Sequence, residues 1–146
     1  MSAIVRASSI SPIVPVPRVP IATRLATMAD LPFLDSLQKQ HSKALGYFPT
    51  RQFEGYIETG GVLVAWATRP CAGGSMREGS RAAGGDPMPL GYCISRDRYL
   101  KRDELGVIYQ LCVTPGHQRG LIGATLVKEV FERSALGRDS DSCRFV

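Results

Sequence analysis

The stretch from Leu111 to Leu126, LCVTPGHQRGLIGATL, changes hydrophobic period in mid-course, and that change constrains the fold more than any other feature of the chain. Val107 to Val113 (VIYQLCV) has the β-branched and aromatic content of a strand, and Thr114-Pro115-Gly116 stops it. From Ile122 to about Ala135 the period turns helical. Leu126, Val127, Val130 and Phe131 share one face, and Lys128, Glu129, Glu132 and Arg133 the other. A strand that passes through a short loop into an amphipathic helix lays that helix back on its own sheet, so a mixed α/β architecture is predicted. The first turn of such a helix offers unpaired N–H groups and the positive end of its macrodipole, and glycine lets an anion come close. The segment is a candidate phosphate cradle, although a turn of this kind also serves as a plain strand–helix connection. It lacks the Gly-Lys-Ser/Thr of a Walker loop and the three spaced glycines of a dinucleotide fingerprint.

The rest of the chain bounds what this element can belong to. At 146 residues there is room for one domain, and 44% apolar with 21% charged residues excludes a wholly disordered or collagen-like chain. The longest apolar run, Val62 to Ala67, falls far short of the roughly 20 residues of a membrane helix, so no span is expected. Eighteen Lys and Arg against thirteen Asp and Glu leave +5, a modest basic excess that favours phosphate-bearing partners. Cys71, Cys93, Cys112 and Cys143 contain no CxxC pair, and His41 and His117 are the only histidines. No standard zinc pattern can be assembled, so no metal is expected, and free thiols point to a reducing, cytoplasmic location. Residues 1–29 carry Arg6, Arg18 and Arg24 and no acid, but Pro12, Pro15, Pro17 and Pro20 oppose the amphipathic helix of a transit segment. No apolar block of a secretory signal is present there either.

Residues 1–20, alternating Pro with Val and Ile, read as a flexible arm, and residues 21–136 as the folded domain. An extended stretch from Val19 to Ala26 leads to capping-box chemistry at Thr27 to Asp30 and a helix to about His41. Pro32 suits only the first turn, which moves the start towards Asp30. Phe53, Tyr56 and Ile57 mark a second helix ending at Gly60-Gly61. Gly61–Thr68 and Leu90–Arg96 are a predicted antiparallel pair in which Trp66 and Tyr92 read as core aromatics. Between them residues 69–89, with five Gly and three Pro, read as a long mobile hairpin loop, and residues 137–146 as a polar tail.

Leu111, Val113, Pro115, Gln118, Gly123 and Leu126 resemble the acyl-CoA binding motif of the GNAT superfamily of N-acetyltransferases. That motif is a strand ending L-x-V, then Pro, then Arg/Gln-x-x-Gly-x-Gly/Ala, then a helix. The order of elements over about residues 19–136 is similar as well. The resemblance implies a GNAT-like α+β fold, a mainly antiparallel mixed sheet flanked by helices. The C-terminal strands and helix of the family are missing after the motif helix, and Ser142 to Val146 at most opens the next strand. It implies that acetyl-CoA is the co-substrate, its pyrophosphate on the amides of Gln118, Arg119, Gly120, Leu121, Gly123 and Ala124, its pantetheine arm along Leu111, Cys112 and Val113. Arg119 would add a charge-assisted contact, and equally reads as a solvated arginine. Leu121 stands where the family has its first Gly, with Gly120 beside it to relieve the turn.

The activity implied is transfer of an acetyl group from acetyl-CoA to a primary amine of an unidentified acceptor. Glu104, just before the strand, is the nearest carboxylate for the general base, and reads otherwise as a solvated loop charge. The family's acid is often a Tyr on the helix after the motif helix, beyond the end of this chain. A non-enzymatic reading stays open: a truncated, inactive module of the same fold that binds a protein partner or nucleic acid. Tyr99 within Arg96–Arg102 is the only hint of nucleic-acid chemistry, so nucleic acid is not the expected partner. An open sheet edge would instead favour a homo-oligomer. Cys112 also reads as strand packing, and His117 as a surface turn histidine.

Overall fold

The computed structural model describes residues 16–68, 88–103, 105–136 and 144–145. Its elements in chain order are β1 (Ile21–Leu25), α1 (Leu31–Gln40), α2 (Ser42–Leu45), α3 (Thr50–Glu58), β2 (Val62–Ala67), β3 (Pro89–Arg96), β4 (Leu105–Val113), α4 (Ile122–Leu136) and β5 (Arg144–Phe145). One sheet runs in the order β1-β2-β3-β4-β5. The first four strands are antiparallel neighbours, and β5 pairs parallel to β4 only at Leu105 and Gly106. Among the described residues no helix is long and apolar enough to cross a membrane.

Helices cover both faces of the sheet, which is why β2 and β3 are apolar almost throughout rather than alternating. On one face Val62, Val64, Tyr92 and Ile94 pack with Leu34 and Leu37 of α1 and Phe53 and Ile57 of α3. On the other, Leu63, Ala65, Leu90 and Cys93 pack with Ile122, Leu126 and Val130 of α4. The α4 stripe differs from expectation: Leu126 and Val130 are buried, but Val127 is 39% and Phe131 51% exposed. The column that meets the sheet is Ile122, Leu126, Val130 and Ser134, spaced four apart, and Val127 and Phe131 lie one column round the helix.

The entry to α1 shows why Thr27 to Asp30 has its chemistry. A 3₁₀ turn, Met28–Asp30, precedes the helix, and the Thr27 N–H donates to Asp30 Oδ2 at 2.7 Å. Arg24 from β1 grips both Asp30 oxygens, at 2.5 and 2.7 Å, and its guanidinium lies 4.4 Å from the centre of the Trp66 ring. Trp66 is therefore half-buried under a cation rather than a core aromatic, whereas Tyr92 is fully buried. The short α2 has no counterpart in the sequence reading. Its end at Gly46, φ +75°, is tied down by Gln38 Nε2, which donates to the Gly46 carbonyl at 2.9 Å.

Two attachments bring the segment before β1 to the body. The Arg18 N–H donates to the Gly120 carbonyl at 3.1 Å, and the Pro20 carbonyl accepts from the N–H and Oγ1 of Thr68. Residues 1–15, most of the arm, lie outside the described residues, as do 69–87 of the long loop and 137–143 of the tail.

Candidate functional site

β4 ends at Val113, and the next eight residues form two tight turns before α4. Thr114 N–H donates back to Leu90 at 2.8 Å, closing the strand; His117 N–H donates to Thr114 O at 3.1 Å, and Gly120 N–H to His117 O at 2.9 Å. Pro115 fits because its missing N–H is not needed here, and Gly116 takes the left-handed φ of +86°. His117 is half-buried with Nδ1 3.3 Å from Thr114 Oγ1, so its ring braces the first turn.

The positive φ before the helix falls on Leu121, at +62°, and not on Gly120. Gly120 therefore does not relieve the turn, because its own amide is committed to His117 and its buried carbonyl to Arg18. Leu121 bends the chain instead, and Thr125 holds that bend by donating both N–H and Oγ1 to the Leu121 carbonyl, each at 3.0 Å.

Two consequences make this loop receptive to an anion. Among the described residues the N–H groups of Gln118, Arg119 and Leu121 have no backbone acceptor, and those of Ile122, Gly123 and Ala124 head α4, where no intrahelical acceptor exists. A cavity of about 360 Å³ opens beside them, lined by Leu111, Val113, Gln118, Arg119, Leu121, Gly123 and Ala124. Gly123 sits tight on β4, where a Cβ would stand 3.3 Å from Leu111 Cδ2.

The strand contributes by its pleat. Leu111 and Val113 point to the cavity side, and Cys112 points to the opposite core with Tyr92. Burial pushes the Cys112 thiol up to about 11 and Cys93 up to about 12, so neither is a thiolate at neutral pH. Burial likewise raises the Tyr92 hydroxyl, which donates to Gln110 Oε1 at 2.7 Å. From Val107 to Val113 the outer edge of β4 has no strand partner among the described residues. Of the residues expected at the site, Cys112 and Gly120 do not line the cavity, and Glu104 lies outside the described residues.

A larger cavity, about 600 Å³, lies between α3 and the C-terminal end of α4, with Tyr56, Arg96 and Asp97 in its wall. Its lining amides at Gln52, Thr59, Gly60, Gly61 and Ser95 already donate to backbone carbonyls, and Asp97 is engaged by Ser134 Oγ at 2.8 Å. The smaller cavity has the better anion chemistry.

Neither a protein-family model nor a curated protein matches the chain in sequence. Solved structures match it in fold. N-acetylglutamate synthase from Neisseria gonorrhoeae, complexed with coenzyme A and N-acetyl-glutamate, superposes with TM-score 0.58 at 16% identity, over 80% of this chain and 23% of its own. A ribosomal-protein-alanine N-acetyltransferase from Brucella melitensis biovar Abortus 2308 superposes with TM-score 0.54 at 16% identity, over 87% of this chain and 79% of its own. The chain has the GNAT fold. A predicted acetyltransferase with acetyl-CoA from Clostridium acetobutylicum adds TM-score 0.53 at 16% identity, over 87% of this chain and 80% of its own. The GNAT-like body thus spans less than a quarter of the Neisseria synthase. The mixed, mainly antiparallel sheet implied by the motif is the sheet observed.

Proposed function

We propose that this chain binds acetyl-CoA at the β4–α4 loop and transfers the acetyl group to a primary amine. One observation carries the reading: among the described residues, amides without a backbone acceptor, a cation and a small-residue helix start share one cavity at the end of a strand edge without a strand partner, in a GNAT fold. The donor set fits a pyrophosphate. Among the described residues the N–H groups of Gln118, Arg119, Leu121, Ile122, Gly123 and Ala124 have no backbone acceptor, and the Arg119 guanidinium adds charge. The residues also fit the pantetheine arm, whose two amides match the N–H and C=O groups of the β4 edge that have no strand partner among the described residues, while Leu111 and Val113 offer apolar contact to its methyl groups.

Acetyl-CoA supplies an acyl group activated as a thioester. The chain's own residues orient that arm on a rigid strand, and the acceptor amine must arrive neutral. Glu104, which precedes β4, is the base we assign to that deprotonation. Incubation with acetyl-CoA and a panel of free amino acids and of lysine and N-terminal peptides tests the reading. The expected result is thiol release dependent on the amine, with acetylated product by mass, and both reduced in Glu104→Gln. Binding of acetyl-CoA without turnover on any amine would favour a non-catalytic module.

A further inference from the structure

The unused feature of β4 is a bulge. Ile94 faces Gln110 and Ser95 faces Ile108, so Tyr109 is an extra residue with no partner on β3. Gln110 meets the Tyr92 hydroxyl on the α1/α3 side, and Ile108 packs with the α4 cluster. The bulge turns Tyr109 to the α3 side. Its ring lies 5.4 Å from Tyr56 of α3 and 6.3 Å from Tyr99, and it is 38% exposed. Tyr99 stands in a 3₁₀ turn, Tyr99–Lys101, bracketed by three non-glycine residues at positive φ: Arg98 and Leu100 at 55° and Lys101 at 62°. Backbone strain of this kind persists where the surroundings impose it, and here it holds a ring against Tyr109. Burial, then the neighbouring Tyr109 hydroxyl, raises the Tyr56 hydroxyl, so Tyr56 presents a neutral ring to Tyr109.

The position of this cluster follows from a length. The pantetheine arm has about twelve bonds from phosphate ester to sulfur, the contour of about four residues of extended chain, or about 13 Å. An arm that starts at the loop, beside Val113, and follows the open edge of β4 therefore ends beside Tyr109. At Leu105 and Gly106 the same edge is closed by β5.

We infer that Tyr109, backed by Tyr56 and Tyr99, closes the acyl end of the site and restricts it to a short acyl group. This rests on the reading of the β4–α4 loop as a CoA site. Three packed aromatic rings make an apolar wall suited to a methyl group, and the bulge sets that wall directly beyond the thioester.

Calorimetric titration of acetyl-CoA and of hexanoyl-CoA into the full chain tests it, with Tyr109→Ala and Tyr109→Phe alongside. The wild-type chain should prefer acetyl-CoA. Tyr109→Ala should tighten hexanoyl-CoA by about tenfold, the return for burying about two methylenes, and weaken acetyl-CoA by up to about fourfold, the loss of one methyl contact. Tyr109→Phe, which keeps the ring, should retain the wild-type preference. An unchanged ratio of the two affinities in Tyr109→Ala, with both ligands still bound, overturns the role of Tyr109 and leaves the CoA site standing. Absence of binding by either ligand to the folded wild-type chain overturns the CoA site, and the acyl wall with it.

Discussion

At Leu121 a residue with a branched side chain holds φ at +62°, a conformation that costs an L-residue about 1–2 kcal/mol and costs glycine little. The penalty is met by the Thr125 bonds to the Leu121 carbonyl and by apolar contact along the cavity wall. A signed test follows from comparing two truncations. Leu121→Gly should be more stable than Leu121→Ala by about 1 kcal/mol in urea unfolding, the reverse of the order inside a helix; equal stability, or Ala ahead, would mean that the turn is unstrained. The motif alone marked Leu121 as a departure. It could not show which of Gly120 and Leu121 carries the bend, because that depends on Gly120 being committed to His117 and Arg18. Asp30 offers a second test. The Arg24 guanidinium, foremost, and the Thr27 amide hold its carboxyl below the usual range, against the opposing effect of burial. A depressed folded-state pKa contributes stability that is full above the ordinary value near about 4 and drains away as pH falls through the depressed one. Asp30→Asn should therefore lower Tm at pH 7, and its deficit should shrink steadily as both proteins are melted below about pH 4.

Among the elements, α4 carries the loop's geometry, and its two apolar columns are not equivalent. Leu126→Ala removes a fully buried side chain between α4 and the sheet and should cost about 2–5 kcal/mol, while Val127→Ala should cost under about 1 kcal/mol. Comparable losses in chemical denaturation would contradict the packing. Helical periodicity made α4 legible but left neighbouring columns unresolved, since Leu126 and Val127 lie only about 100° apart on the wheel. β2, β3 and β4 were legible because each is a long run of strand-forming residues. The bulge at Tyr109 was not, because register belongs to the pairing of two strands and leaves no mark in the composition of one. Nor was α2, whose four residues are held by a bond from Gln38 to Gly46 rather than by propensity.

For the molecule as a whole, sheet and helices together set an array of amides at one end of a strand edge that has no strand partner from Val107 to Val113 among the described residues, with Arg119 at the cavity wall. Arg119→Ala should weaken acetyl-CoA binding several-fold and flatten its dependence on ionic strength, since a charge-assisted contact at an open surface is screened by salt. Titrations at low and high salt separate this from a purely apolar contribution. The proposed coenzyme A site at the β4–α4 loop is tested most directly by isothermal titration of acetyl-CoA into the chain and into Gly123→Trp. Gly123 already stands against Leu111, so a tryptophan there must fill the cavity. Saturable binding by the wild-type chain, abolished in the folded variant, is the predicted result. No binding by folded wild-type protein, or equal binding by Gly123→Trp, would contradict it.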